Sequence, residues 1–313
     1  MKSARIHEYG DASVIRYEDA PRPVPGPDEV LIQVAATSFN PTESFLRAGM
    51  LHNLFPLTFP YILGWDVAGT VVEVGADTEG LAVGDQVVGR SDQGGACAEY
   101  VAVPAAVLVT APKSIPLAHA AALPVAGHTA WQAVFEHAEL RAGERVLVNG
   151  AGGGVGGFVT QLAKHAGATV IATAGPRSTA AVRAQGADQI VDYTASPIAE
   201  QLTEPVDVLI NVVAIPPSET AALAALVRPG GRIVSVATPF PADGDSGVTT
   251  LHMVARNDPA GLAALVALVD AGVVRVDVSA EYTFADTAEV HRLSEAGRIR
   301  GKVVLNAPDG QTA

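Results

Sequence analysis

The sequence predicts an α/β fold in two parts, a β-rich body and a doubly wound parallel sheet, on three observations. The first third of the chain carries short β-branched runs separated by Pro and Gly, the pattern of a compact β body. The centre alternates apolar strand runs with helical runs of about a dozen residues, the pattern of a parallel sheet with helical crossovers. Between an apolar run and an amphipathic one, VLVNGAGGGVGGFVTQLAKHAG places six glycines in the eight positions from Gly150 to Gly157.

Taken in order, the runs at 4–8, 29–36, 67–74 and 85–89 read as strands, bounded by turn-rich stretches such as PRPVPGPDE and VGADTEGLAVGD. From Pro116 the texture changes to alanine-rich helix in LAHAAALPVAGHTAWQAVFEHAEL. ERVLVNG then reads as strand, GGFVTQLAKHAG as helix, ATVIATA as strand, STAAVRAQG as helix, and DQIVDY and VDVLINVV as strands. SETAALAALV (helix) and GRIVSVA (strand) complete the alternation. GLAALVALVDAG adds a helix, and VDVSAEYTF, TAEVHRLSEAG and GKVVLNA return to strand, helix and strand, which can complete the β-rich body.

With 313 residues, 49% of them hydrophobic, the chain can bury a large core. The net charge of -13 repels phosphate backbones and anionic lipid, so neither nucleic acid nor a membrane surface is an expected partner. Cys97 is the only cysteine, which excludes an intramolecular disulfide and a cysteine-rich zinc cluster and fits a reducing compartment. With no signal-type segment and no apolar run of membrane-spanning length, a cytoplasmic protein is expected.

The glycines follow a strand and open a helix whose Val155, Val159, Leu162 and Ala163 share one face. Unpaired N–H groups and the positive end of the helix dipole then meet at one point, which suits a pyrophosphate. Two overlapping fingerprints fit, Gly152-x-Gly154-x-x-Gly157 and Gly150-x-x-Gly153-x-x-Gly156. No Gly-Lys-Ser/Thr follows, so this is not a nucleoside triphosphate loop of the Walker type. The second strand of the central region ends at Ala174 and continues into Gly175-Pro176-Arg177-Ser178 without an acid to accept from the ribose hydroxyls. A cation and a hydroxyl there suit a 2′-phosphate, so NADPH is the expected cofactor rather than NADH.

Taken with FNPTESFLRAG (39–49), LGWDVAGTVVEVG (63–75), ALPVAGHTAWQAV (122–134), GADQIVDY (186–193), RPGGRIVSVA (228–237) and RGKVVL (300–305), the chain resembles the medium-chain dehydrogenase/reductase superfamily. Within it, the chain resembles the zinc-independent quinone oxidoreductase branch that includes zeta-crystallin. The resemblance implies a GroES-like catalytic domain over residues 1–122, completed by 259–313, and a Rossmann domain over 123–258. It also implies NADPH in a cleft and, commonly, a homodimer joined through Rossmann sheet edges. It assigns Gly150, Gly153, Gly154, Val155 and Gly156 to the pyrophosphate loop and Thr129 to the nicotinamide. Arg177, Ser178 and Tyr193 fall near the 2′-phosphate, and Val212, Val213, Ala214 and Ala237 border the remaining cofactor.

Where zinc-dependent members carry Cys and Gly-His-Glu, this chain has Asn40 and Gly64-Trp65-Asp66, so no metal is expected. Relatives often read Asn-x-x-Asp/Glu-x-Tyr, whereas Phe45 stands here at the tyrosine position. The expected activity is NADPH-dependent reduction of a small molecule, a quinone or similar conjugated carbonyl, with Asn40 donating to the developing oxyanion. Phe45, Tyr61 and Trp65 are the candidate pocket residues, and the loops at 51–57 and 240–248 are expected to shape that pocket. Alternatives are an enoyl or enone (2-alkenal) reductase, with Tyr61 or His52 as the acid, and a non-catalytic NADPH-binding regulatory protein. Glu43 and Asp66 are read as partners for Arg or Lys such as Arg47, and Lys302 as a surface lysine.

Overall fold

The computed structural model describes residues 1–241 and 247–308. Its backbone divides into two units, one formed by Met1–Val125, Asn257–Asp270 and the tail from Val278, the other by Ala126–Arg256 and Ala271–Asp277.

The first unit is built on a seven-stranded sheet. Its central strand, Glu29–Ser38, pairs antiparallel with Asp66–Val74, Tyr100–Pro104 and the last strand Lys302–Asn306. Val278–Thr283 lies parallel to Lys302–Asn306 at one edge, and Gln86–Arg90 and Leu108–Thr110 continue the other. A smaller sheet joins Arg16–Asp19, Lys2–Ile6 and Tyr61–Ile62. The tail thus completes the body begun by the first hundred residues. The core contains Ile6, Ile32, Val34, Leu63, Val67, Val71 and Val87 together with Phe284, Val290, Val303 and Leu305.

The second unit is a six-stranded parallel sheet. Its spatial order is Gln189–Val191, Thr169–Thr173, Arg145–Asn149, Val206–Asn211, Val227–Ser235 and Thr249–His252. Numbered along the chain this is 3-2-1-4-5-6, the doubly wound order, with its switch point between the first and fourth strands. Thr249–His252 was not legible in the sequence, since its largely exposed TTLH run lacks the apolar signature of a covered strand.

The helix Gly154–His165 is buried along most of its length rather than on one stripe. It is covered by the strands Arg145–Asn149 and Thr169–Thr173 on one side and by the helix His128–Trp131 on another. Val155, placed on the buried stripe by its spacing, is only half-buried at the open first turn. The alanine-rich stretch after Pro116 is also not one regular helix. Short α turns at Leu117–Ala120 and His128–Trp131 alternate with wider π turns at Leu123–Gly127 and Gln132–His137. Pro124, which lacks an N–H, sits in the first of these wide turns.

Candidate functional site

The glycine loop leaves the sheet at the carboxyl end of its first strand, beside the switch point. Gly150 has φ +96°, a conformation that other residues adopt only under strain. Gly156 is required for a different reason, because a methyl group there would run into the carbonyl oxygen of Gly150 and the Cα of Ala151. Gly153 caps the helix Gly154–His165, and no side chain closes the cap. A methyl at Gly153 would meet only the Gly150 carbonyl oxygen, at 3.5 Å. Backbone therefore faces open space where the first-turn N–H groups lack intrahelical acceptors, a fit for the pyrophosphate of a dinucleotide.

The other expected cofactor residues gather on the same edge. Val212 and Val213 follow the fourth strand and lie about the Gly150 turn, whose added methyl would meet them at 3.0 to 3.2 Å. A methyl at Gly152 would meet the Ser178 side chain, and one at Gly175 would lie 3.4 Å from the Tyr193 hydroxyl. Ser178, exposed Arg177 and exposed Tyr193 thus surround the end of the second strand, which carries no acid. Ala214 and Ala237 are exposed in the loops that follow the fourth and fifth strands. Thr129 is buried on His128–Trp131, the short helix packed against the helix that begins at Gly154. His128 is buried too, its ring 3.0 Å from the Gln132 amide.

A belt of buried polar side chains across the strand ends was missed in the sequence. Asn149 donates to Asn211 Oδ1 at 2.8 Å and accepts from Thr173 Oγ1 at 3.0 Å. Asn211 donates to Ser235 Oγ at 2.9 Å and to the Val213 carbonyl at 3.0 Å, and Thr173 Oγ1 accepts from the Gly150 N–H at 2.9 Å. Register explains the belt, since Asn149 is paired with Asn211 and Asn211 with Ser235. The available signal was one polar residue closing each of four apolar strands.

In the first unit, Asn40 lies in a second, fully buried polar cluster. Val304 sits opposite Ser38 in the antiparallel pair, so two steps further along Lys302 comes opposite Asn40. Lys302 Nζ donates to Asn40 Oδ1 at 2.8 Å and to the Phe39 carbonyl at 3.0 Å, with Asp66 Oδ2 at 3.6 Å. Asn40 Nδ2 donates to Asp66 Oδ2 at 2.8 Å and, at a longer 3.3 Å, to Glu43 Oε1 and the Ser38 carbonyl. Asp66 also accepts from the Ser38 hydroxyl and, at 2.7 Å, from the Val125 N–H. Glu43 Oε2 accepts from the Gly64 N–H at 3.0 Å. Burial, and next the neighbouring Asp66 charge, push the Glu43 carboxyl up to about 7. Burial lowers the Lys302 ammonium from its ordinary value, against the pull of Asp66 and Glu43.

Two expectations are corrected here. Lys302 is not a surface lysine, because its strand lies second from the edge and the stem turns inward. Asp66 pairs with a lysine, as expected of the acids, but that lysine is Lys302, and Arg47 meets Glu295 on the helix Thr287–Glu295 rather than Glu43 or Asp66. Both ends of the Asn40 carboxamide are engaged within the cluster.

Of the candidate pocket residues, Phe45 is 47% exposed on the helix Pro41–Arg47. Trp65 and Tyr61 are half-buried, and Trp65 Nε1 donates to the Tyr61 hydroxyl at 3.2 Å. Burial pushes the Tyr61 phenol up to about 12, so it keeps its proton through the physiological range. His52 is bonded to the Gly49 carbonyl at 2.7 Å. In the loop 240–248, residues 242–246 lie outside the described residues.

The donor set does not fit a zinc ion. Asn40 and Trp65 supply no thiolate or imidazole, and the Lys302 ammonium already stands against Asn40 and Asp66. Among the described residues no group of three or more His, Cys, Asp or Glu side chains could hold a metal.

Comparison with known proteins agrees with this geometry. The family described as alcohol dehydrogenase GroES-like domain matches residues 26–113, and that described as zinc-binding dehydrogenase matches residues 185–305. The chain is 34% identical to the mitochondrial NAD(P)H oxidoreductase RTN4IP1 of Danio rerio, over 98% of this chain and 91% of that protein. It is 32% identical to the chloroplastic NADPH-dependent alkenal/one oxidoreductase of Arabidopsis thaliana, over 97% of this chain and 79% of that protein. The quinone oxidoreductase structure from Coxiella burnetii superposes with a TM-score of 0.88 at 30% identity, covering 98% of this chain and 99% of that one. With both family matches, the doubly wound sheet and the two-ended β body in agreement, the chain belongs to the medium-chain dehydrogenase/reductase superfamily, in its zinc-independent quinone oxidoreductase branch.

Proposed function

We propose that this protein is an NADPH-dependent oxidoreductase that delivers a hydride to a quinone or similar conjugated carbonyl. The observation that carries the reading is the glycine loop at the switch point, open at Gly153 and flanked by Arg177, Ser178 and Tyr193 where an NAD site would place an acid. Quinone oxidoreductase and NADPH-dependent alkenal/one oxidoreductase relatives support it.

When bound, the cofactor supplies the hydride. The chain's own residues bind, orient and polarise. The first-turn N–H groups behind Gly153 hold the pyrophosphate, and Arg177 with Ser178 and Tyr193 receives the 2′-phosphate. Val212, Val213, Ala214, Ala237 and Thr129 border the rest of the cofactor. Asn40 donates to the acceptor oxygen as negative charge grows there, through the amide hydrogen now held only by the 3.3 Å contacts, while Asp66 keeps the other. Phe45 supplies an apolar face for a flat acceptor, beside Tyr61 and Trp65. Hydride addition to a quinone gives a stabilised hydroquinone anion that solvent protonates, so the phenylalanine at position 45 is compatible with turnover. The second reading, an enone reductase, needs a positioned acid for the α carbon, and the half-buried Tyr61 hydroxyl, oriented by Trp65 Nε1 at 3.2 Å, is the candidate, although burial makes it a weaker acid than an ordinary phenol.

We also propose a homodimer and a cytoplasmic location. The edge strand Thr249–His252 has no partner on its outer side among the described residues, and Leu251 within it and Val254 just after it are 40% and 77% exposed. A single buried thiol is compatible with a reducing compartment, and no helix among the described residues is long and apolar enough to cross a membrane.

The test is anaerobic oxidation of NADPH, and of NADH, with a panel of quinones and matched enones. Fast quinone-dependent loss of NADPH, slow with NADH and insensitive to chelators, is the expected result. Turnover of enones alone would replace the first reading by the second. Tight NADPH binding with no turnover would leave a nucleotide-binding regulatory protein.

A further inference from the structure

The buried cluster around Asn40 contains two carboxylates but one ammonium, and one amide group is shared between the carboxylates. Asp66 and Lys302 grip opposite ends of the Asn40 carboxamide, each at 2.8 Å. Glu43 competes only for the second amide hydrogen, at 3.3 Å, which is beyond the usual range of about 2.7–3.2 Å. We propose that Lys302, Asp66 and Glu43 are positioning residues for carbonyl reduction that act through Asn40. Lys302 and Asp66 fix the orientation of its amide, and the charge on Glu43 decides how firmly the second amide hydrogen is withheld from an acceptor oxygen. The inference rests on the proposed reduction and on the donor role of Asn40 within it.

The groups facing Glu43 leave it as the member that changes charge near neutrality. Tyr61 from the strand Tyr61–Ile62 and Cys97 from the loop before Tyr100 are both pushed by burial up to about 12 and stay neutral. His291, on the helix packed against Pro41–Arg47, is held by burial and by Arg47 down to about 3 and is also neutral. Arg47, on the same helix as Glu43, is engaged with Glu295. Asp66 and Lys302 form the opposing ion pair, and they hold opposite influences on Glu43, Asp66 raising its carboxyl and Lys302 lowering it. Protonation of Glu43 leaves the cluster neutral overall and removes the charge that competes for Asn40. Reduction is therefore faster with Glu43 protonated.

The experiment measures kcat and KM for a quinone from about pH 6 to pH 8 in the wild type and in Glu43→Gln, Lys302→Met, Lys302→Arg and Asn40→Ala. The wild-type rate should fall through an inflection near pH 7. Glu43→Gln should abolish that inflection. Lys302→Met should lower kcat about tenfold or more with KM little changed and move the inflection upward, and Lys302→Arg should recover part of the loss. A Glu43→Gln enzyme that keeps the wild-type profile overturns the proposal, as does a Lys302→Met enzyme with an unmoved inflection and unchanged kcat. Full activity in Asn40→Ala removes the donor role, and with it the route by which the cluster acts, while the oxidoreductase assignment stands. If no acceptor is reduced, Trp65 fluorescence in a Trp131→Phe background still reads the cluster, as Trp65 adjoins Asp66. An inflection near pH 7 that Glu43→Gln removes would keep the charge assignment, and its absence would overturn it.

Discussion

Replacing Glu43 by Gln should change how stability depends on pH, and both the sign and size follow from the structure. The carboxyl has its ordinary value of 4.5 in the unfolded chain and about 7 in the native state, raised by burial and by Asp66. Between these values the native protein holds a proton that the unfolded chain has lost, so unfolding releases it and stability falls as pH rises. The contribution is fully present below the unfolded value and is lost as pH passes the native one. At about 1.36 kcal/mol per tenfold change in proton affinity, the wild type should lose on the order of 2.5 kcal/mol from this group between about pH 5 and pH 8. The substituted carboxamide has the shape of the protonated acid and can still accept from the Gly64 N–H, so the variant should lack this loss while retaining the rest of the acid and base response. Urea unfolding of both proteins at a series of pH values isolates the term, because the difference between the two curves cancels every other titrating group. Parallel curves over that range would refute the reasoning and mean that Glu43 is ionised throughout.

Further substitutions have defined outcomes. Gly153→Ala should leave stability unchanged or raise it by about 0.5 kcal/mol, since φ is −88° there and nothing in the chain crowds the methyl, yet it should weaken NADPH binding in a fluorescence titration. Gly156→Ala should lower stability by about 1–3 kcal/mol as well as binding, because its methyl meets backbone. Arg177→Ala should weaken NADPH by about tenfold or more and NADH little, measured as a ratio of dissociation constants. Arg47→Met should cost less than about 1 kcal/mol in thermal unfolding, because the Arg47 Nε and Nη1 are buried without hydrogen-bond acceptors and half-exposed Glu295 regains water. A loss of several kcal/mol would show that the buried guanidinium is better satisfied than its contacts indicate.

By itself the sequence determined the two-part α/β architecture, the glycine loop and the absence of an acid after the second Rossmann strand. These are local properties. Apolar periodicity reports which faces must leave water, and a glycine cluster between strand and helix reports where backbone must turn tightly or be approached closely. Tertiary structure alone decided the state of the polar residues. Lys302 and Asn40 lie 262 positions apart, and only the antiparallel register of the last strand against Glu29–Ser38 brings them within 2.8 Å. The same holds for Asn149 and Asn211, which become neighbours through parallel pairing of two strands separated by three helical crossovers. A lysine reads in sequence as a solvated side chain, because its charge is costly to bury alone. Here Asp66 and Asn40 compensate that cost from distant segments, and no pattern along the chain records such a compensation.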